Sequence, residues 1–327
     1  MVCSFFPAHC THIFPVWLPR TFALLYPDDV AEACPVQQIS VANNTIRRPS
    51  LAIFAVTGIV IGLTGSIRLL RVTMSRRKSH NNNSPLLHDA QFYWMVAFLF
   101  FGFMNTSGLF LHCLLPFPEK TRDSTQERAL LFIADTYTTG VFGISIWAAC
   151  MMESLSSAYV NIKTYTSMDP KEWIRNVWII MNILGLLAIA CFLTGSASAT
   201  GEESPSATLS TLLLSRSLPL ELWYLCPTIV WAGLGLEVML LCHFSKTLLL
   251  ALLSAFSVFG LAFFDAIICR SIGNAFLDLF TQPTLMFLGT DVLFLGLGIW
   301  LETRQKTQQD ASGQSGTSTT FKDNKQA

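Results

Sequence analysis

What this 327-residue sequence lacks first is charge. Asp, Glu, Lys and Arg make up 13% of it, against the roughly 25% usual in soluble domains. Formal net charge is zero and no basic arm or basic-aromatic face is present, which argues against nucleic acid as a partner. The nine cysteines include no C-x-x-C pair, so neither a zinc ribbon nor a thioredoxin-type centre is indicated. No H-x-x-x-H occurs and no histidine follows His243, which removes the usual helical zinc motif. The start lacks the basic n-region of a secretory signal and is interrupted by Pro7, Pro15 and Pro19. A plastid or other targeting role for residues 1–25 is compatible with it.

What is present is long apolar runs. Hydrophobic residues make up 52% of the chain and the mean hydropathy is +0.48, the pattern of a polytopic membrane protein. Seven runs are expected, near 51–70, 91–115, 129–152, 174–195, 220–244, 247–269 and 280–301. The fold class is therefore all-α, a seven-transmembrane-helix bundle. Residues 1–49 form an extracytoplasmic segment, 50–302 the membrane domain, and 303–327 a polar tail without regular structure. Runs five and six meet at His243–Lys246 and require a tight hairpin.

Orientation follows from the cations. With the N-terminus outside, the cytoplasmic side holds thirteen Lys and Arg, led by Arg68, Arg71, Arg76, Arg77 and Lys78, and the outer side eight. The positive-inside rule gives N-out, C-in. Trp94, Trp223 and Trp300 stand near helix ends, as interfacial anchors do. Asn43-Asn44-Thr45 is a glycosylation sequon on the outer side. A disulfide among Cys3, Cys10 and Cys34, or from Cys34 to Cys226, would need that side to be oxidising. The chain is read as multi-pass, in an endomembrane (ER or Golgi) or the plasma membrane.

Ionisable groups inside the bilayer cost on the order of 3 kcal/mol each, so each invites a reason. His112, near the end of run two, and Asp135, early in run three, are expected at one depth on neighbouring helices. Asp265 and Thr284 join that layer, with Asp291 deeper and near the midplane. Asp135, Asp265, Thr284 and Asp291 could line a binding site. Equally, Asp265 and Asp291 could make interhelical hydrogen bonds, Asp265 could pair with Arg270, and the hydroxyls could join helices. Glu237 and His243 read as a pair at the cytoplasmic end of run five.

A histidine and carboxylates converging from several helices suit a metal that activates water, with His112 as a ligand and Asp135 as ligand, base or orienting group. A three-histidine zinc site cannot be assembled from this layer. The segment IRRPSLAIFAVTGIVIG, the glycine-containing run GFMNTSGLFLHCLLP and an acid early in run three together resemble the alkaline ceramidase family. That resemblance implies a seven-helix hydrolase of lipid amide bonds, with zinc as cofactor and a sphingoid or acyl-chain lipid as substrate. It implies His112 as the helix-two zinc ligand, with Asp135 and Ser107 as catalytic residues. Asp265, Thr284 and Asp291 would then bind substrate. The sequence departs from the family: Gly108 stands four residues before His112, and Ser107 is one position off. Thr284 and Leu288 occupy the places of the paired helix-seven histidines, and Leu51 and Ala55 replace asparagines in helix one.

The expectation is a divergent ceramidase-like protein holding a lipid between its helices, with or without hydrolysis. Two other classes stand beside it. One is a non-catalytic seven-helix receptor or sensor. The other is a proton-coupled transporter using acids such as Asp291, which the absence of an internal repeat disfavours. A retinal protein is disfavoured because run seven holds no lysine.

Overall fold

In a computed structural model the described residues are 38–41, 44–80, 89–114, 122–155, 169–197, 223, 226–262 and 279–317. They are mostly helical. An antiparallel hairpin of β1 (Gln38–Val41) and β2 (Asn44–Arg47) leads into α1 (Pro49–His80). Then come α2 (Ala90–Leu109), α3 (Arg122–Leu155), α4 (Pro170–Ala197), α5 (Ala232–Cys242), α6 (Lys246–Ala262) and α7 (Gln282–Thr317). A π-helical turn, Phe110–Leu114, extends α2, and another, Cys226–Trp231, precedes α5.

The entry into α1 is set locally. Arg48 has φ of 52°, a left-handed turn that breaks the strand, and Pro49 follows at the first helical position, where its missing N–H costs nothing. The Arg48 carbonyl then accepts from the Ala52 amide at 3.1 Å. At the start of α2 the Asp89 carboxylate caps the helix, accepting from the Gln91 amide at 2.9 Å. Only His243–Ser245 separate α5 from α6, and the two pack on different neighbours, α5 on α3 and α6 on α7.

Among the described residues, five helices are long and apolar enough to cross a membrane: Pro49–Ser75, Ala90–Leu114, Leu130–Leu155, Pro170–Leu193 and Thr284–Thr307. The apolar helices Cys226–Cys242 and Lys246–Leu261 are shorter, each below the 18 residues of a clear span among the described residues. Beyond them, residues 263–269 of run six lie outside the described residues, as do most of the residues that open run five.

α3 is the central element. Every residue from Thr139 to Cys150 is buried, and the helix packs against α2, α4 and α5. A helix covered all round needs apolar or small residues on every face, and GVFGISIWAAC supplies them. α1 and α4 are peripheral, with 28% and 11% of their apolar windows buried against 61% and 67% for α2 and α3. Ile53, Val56, Val60, Leu63, Ile67, Leu70 and Met74 form an exposed apolar stripe along α1. Such a face in water would be an unusually large patch, whereas against hydrocarbon it costs nothing.

α1 crosses α2 closely. A Cβ added at Gly62 would lie 2.6 Å from the Gly102 nitrogen and 2.7 Å from the Phe98 carbonyl oxygen. Gly58 and Gly62 form a G-x-x-x-G pair, the spacing that lets two helix backbones approach. On the far side of α2, a layer of phenylalanines joins it to α7. Phe101 and Phe294 stack with centroids 3.9 Å apart, Phe98 meets Phe294 edge-on at 5.1 Å, and Phe142 of α3 meets Phe294 at 5.8 Å.

Two expectations are revised here. α7 does not end at Leu301 but runs to Thr317, because its continuation contains no proline. Its first turns there carry the Lys306–Glu302 pair at 3.1 Å and the Thr303 and Thr307 hydroxyls bonded back to their own helix. Cys226 carries a free thiol, so the Cys34–Cys226 bridge is not made; Cys34 itself lies outside the described residues.

Candidate functional site

Ser107 and Asp135 meet across the α2–α3 seam, with the Ser107 hydroxyl 3.3 Å from Asp135 Oδ1. The same hydroxyl lies 3.1 Å from the Phe103 carbonyl and 3.0 Å from that of Met104. One hydroxyl proton thus serves three acceptors, and the bond to Asp135 is the longest of them. Asp135 makes no hydrogen bond to His112. It stands level with Ser107, five residues before His112, so it lies about 7 Å further along the axis at 1.5 Å per residue. The expectation that His112 and Asp135 share one depth is corrected accordingly.

His112 sits in the π turn and is buried, 3% exposed. Its ring meets Phe287 of α7 edge-on, with centroids 6.2 Å apart. Behind it, β2 packs on the π turn, and the Cys113 thiol lies 3.9 Å from the Arg48 carbonyl oxygen. The β1–β2 hairpin therefore covers the His112 end of α2.

Thr284 is fully buried in the first turn of α7, its hydroxyl 2.9 Å from that of Thr281, a bond within α7's own start. Asp265 lies outside the described residues, and with it the Asp265–Arg270 pairing. Glu237 is exposed, and His243 Nε2 lies 3.2 Å from the Glu153 carbonyl oxygen rather than against Glu237. The polar run after Asp135 is largely spent on its own helix. Thr136, Thr138 and Thr139 donate to the carbonyls of Phe132, Ala134 and Asp135 at 2.7 Å each. Interhelical polar contacts among the described residues include Trp178 Nε1 to Ser145 Oγ at 3.0 Å and Thr228 Oγ1 to the Thr139 carbonyl at 3.5 Å.

Asp291 is 4% exposed and neither carboxylate oxygen has a hydrogen-bond partner. On α7 it lies between Phe287, which faces Gly108 and His112, and Phe294, which faces Phe98 and Phe101. Its depth is therefore that of Asn105, close to that of Ser107 and Asp135. Two polar loci thus flank α2 at one level: Ser107–Asp135 toward α3, and Asn105–Asp291 toward α1 and α7. Residue spacing alone concealed the second. Its signal was the stripe Phe98, Phe101, Asn105, Gly108, His112, where one amide interrupts an aromatic and small-residue face at helical spacing.

A groove of about 540 Å³ runs between α1 and α7 with Phe98 of α2 at its inner end. Val60, Ile61, Leu69, Val72, Leu295 and Ile299 give it apolar walls, and Arg68, Arg71, Glu302 and Gln305 stand at its mouth. Its lining includes neither His112 nor Asp135. The expectation of an apolar pocket ending at those two residues is not what this groove provides; it opens at the opposite end of α1.

Zinc does not fit the residues around His112. Among the described residues no group of three His, Cys, Asp or Glu side chains comes together, and the His112 ring packs on Phe287 rather than beside a carboxylate. The helix-seven positions offer a threonine, held by Thr281, and a leucine.

Comparison with family models, with curated proteins and with solved structures finds no match. The chain's described residues are mostly helical and include five helices long and apolar enough to cross a membrane.

Proposed function

We propose that this chain is a seven-helix integral membrane protein, N-out and C-in, of ceramidase-like architecture, which holds a membrane lipid between its helices and does not hydrolyse it through zinc. The α1–α7 groove carries this reading. Its apolar walls match one acyl or sphingoid chain, and its mouth offers charged and amide side chains to a polar headgroup at the membrane surface. α5 and α6 act as the fifth and sixth spans.

The π turn lends the architecture support. An α-helix that admits a π turn accommodates one extra residue. Ser107 stands one position too far from His112 for the ceramidase pattern, and the π turn that begins at Phe110 contains His112. The extra residue is thus absorbed in the helix.

The test is direct. Full-length protein purified in mild detergent is extracted and its lipid identified by mass spectrometry, alongside Gly298→Leu. Gly298 lines the groove, and a Cβ there would meet Phe98 only at 3.7 Å, so the larger side chain projects into the groove. We expect retained lipid in the parent protein and several-fold less in the variant. Stoichiometric zinc that is lost in His112→Ala, with chelator-sensitive ceramide hydrolysis, would overturn the non-hydrolytic reading. Equal lipid in both proteins would overturn the groove as the lipid site.

A further inference from the structure

The buried acid Asp291 has no role in the lipid groove, and its surroundings call for an explanation of their own. A carboxylate 96% buried, with both oxygens unpartnered, is a costly arrangement, and such groups mark sites of bound ions or water. Asn105 presents the second half. It is fully buried, its Nδ2 donates to the Phe101 carbonyl at 2.9 Å, and its Oδ1 has no partner.

Three observations bring the two to one level on facing sides of α2 and α7. Asn105 lies on the α2 stripe whose other members, Phe98, Phe101, Gly108 and His112, all touch α7 at Phe287 or Phe294. Asp291 lies midway between those phenylalanines and on the side of α7 away from α6, which packs instead on Gly289 and Gly296. Gly58 of α1 faces the Asn105 amide directly and leaves it room, since a Cβ at that glycine would overlap it. The junction is closed by the Phe101–Phe294 stack on one side and Phe287 on the other.

With Asp291 ionised, all three open atoms, two on Asp291 and one on Asn105, accept and none donates. A set of acceptors with one negative charge, sealed by aromatics, asks for one positive charge. A divalent ion would leave an uncompensated charge in low dielectric, so the balance favours a monovalent ion, and hard oxygen donors favour a small alkali cation. We propose that Asp291 and Asn105 form a binding site for one sodium-class monovalent cation at the α1–α2–α7 junction. Gly58 makes room for the Asn105 amide, and the phenylalanine layer separates the site from the groove. The cation ties α7 to the α1–α2 pair.

Thermal unfolding of the purified full chain tests this, with NaCl exchanged for choline chloride at constant ionic strength. Sodium should raise the melting temperature saturably by roughly 5 °C, the size expected from a ligand well above its Kd on a domain of this size. Asp291→Asn and Asn105→Leu should each abolish the sodium-dependent rise. Binding of ²²Na⁺ to the parent protein, near one per chain, reads the same site if a variant fails to fold. Identical melting in the two salts with no ²²Na⁺ bound would overturn the proposal. So would a sodium shift that survives both substitutions, or a stability that rises with acid alone.

Discussion

Gly62→Ala is the sharpest probe of how this bundle is built, because one methyl group there has two opposed effects. Removing a helix-interior glycine should gain about 1 kcal/mol through backbone entropy. The same methyl would lie 2.6 Å from the Gly102 nitrogen and 2.7 Å from its Cα, and both are backbone atoms that cannot rotate aside. α1 and α2 must separate by several tenths of an ångström or more, and overpacking of that kind costs about 1–3 kcal/mol. The close approach that G-x-x-x-G packing supplies is lost along the seam as well. We expect a net loss of about 1–2 kcal/mol for Gly62→Ala. Gly260→Ala on α6 is the matched control, since nothing lies within 4 Å of its Cβ position. It should be neutral or gain up to about 1 kcal/mol. Melting temperatures of the two variants should thus differ by roughly 5 °C in opposite directions from the parent. Equal melting of the two variants would refute the close-seam reasoning.

Two further perturbations separate buried from exposed polar contacts. Arg304 and Glu153 pair at 2.5 Å with side chains 21% and 14% exposed, tying α7 to α3, whereas Arg68 and Glu302 pair at 3.5 Å with 69% and 51% exposed. Glu153→Gln should cost about 1–3 kcal/mol and Arg68→Gln less than about 1 kcal/mol, by double-mutant cycles on thermal unfolding. Ser107→Ala should cost about 1 kcal/mol by removing the donor to Asp135, and Thr139→Ala, whose hydroxyl bonds only its own helix carbonyl, roughly half that or less in the same assay.

The spans of α1 to α4 and α7 were legible because long uncharged runs have no other stable home, and the short break between α5 and α6 because the two runs abut. Side-chain pairing was less so. His112 and Asp135 looked like partners when depth was counted from the ends of the runs, but facing is decided by azimuth around α2, which points Ser107 at α3 and His112 at α7. The π turn has no residue signature in FLHCL and shifts that azimuth further. Arg68 and Arg71 contributed to orientation, yet their place at the mouth of a groove depends on α7 lying beside α1, a contact between the two ends of the domain that local spacing cannot encode. The G-x-x-x-G spacing of Gly58 and Gly62 stands in the sequence too, yet that it meets Gly102 across the α1–α2 crossing is seen only in the structure.

The glycine seam also bears on the order in which the molecule comes into being. α1 and α2 are consecutive, and their contact needs nothing made later, so the pair can lock as a hairpin while the rest of the chain is still being synthesised. α7 is the last helix described and supplies one wall of the groove, Phe294, Phe287 and Asp291. The proposed lipid groove and cation site therefore both wait on α7, and its arrival is the step that completes them.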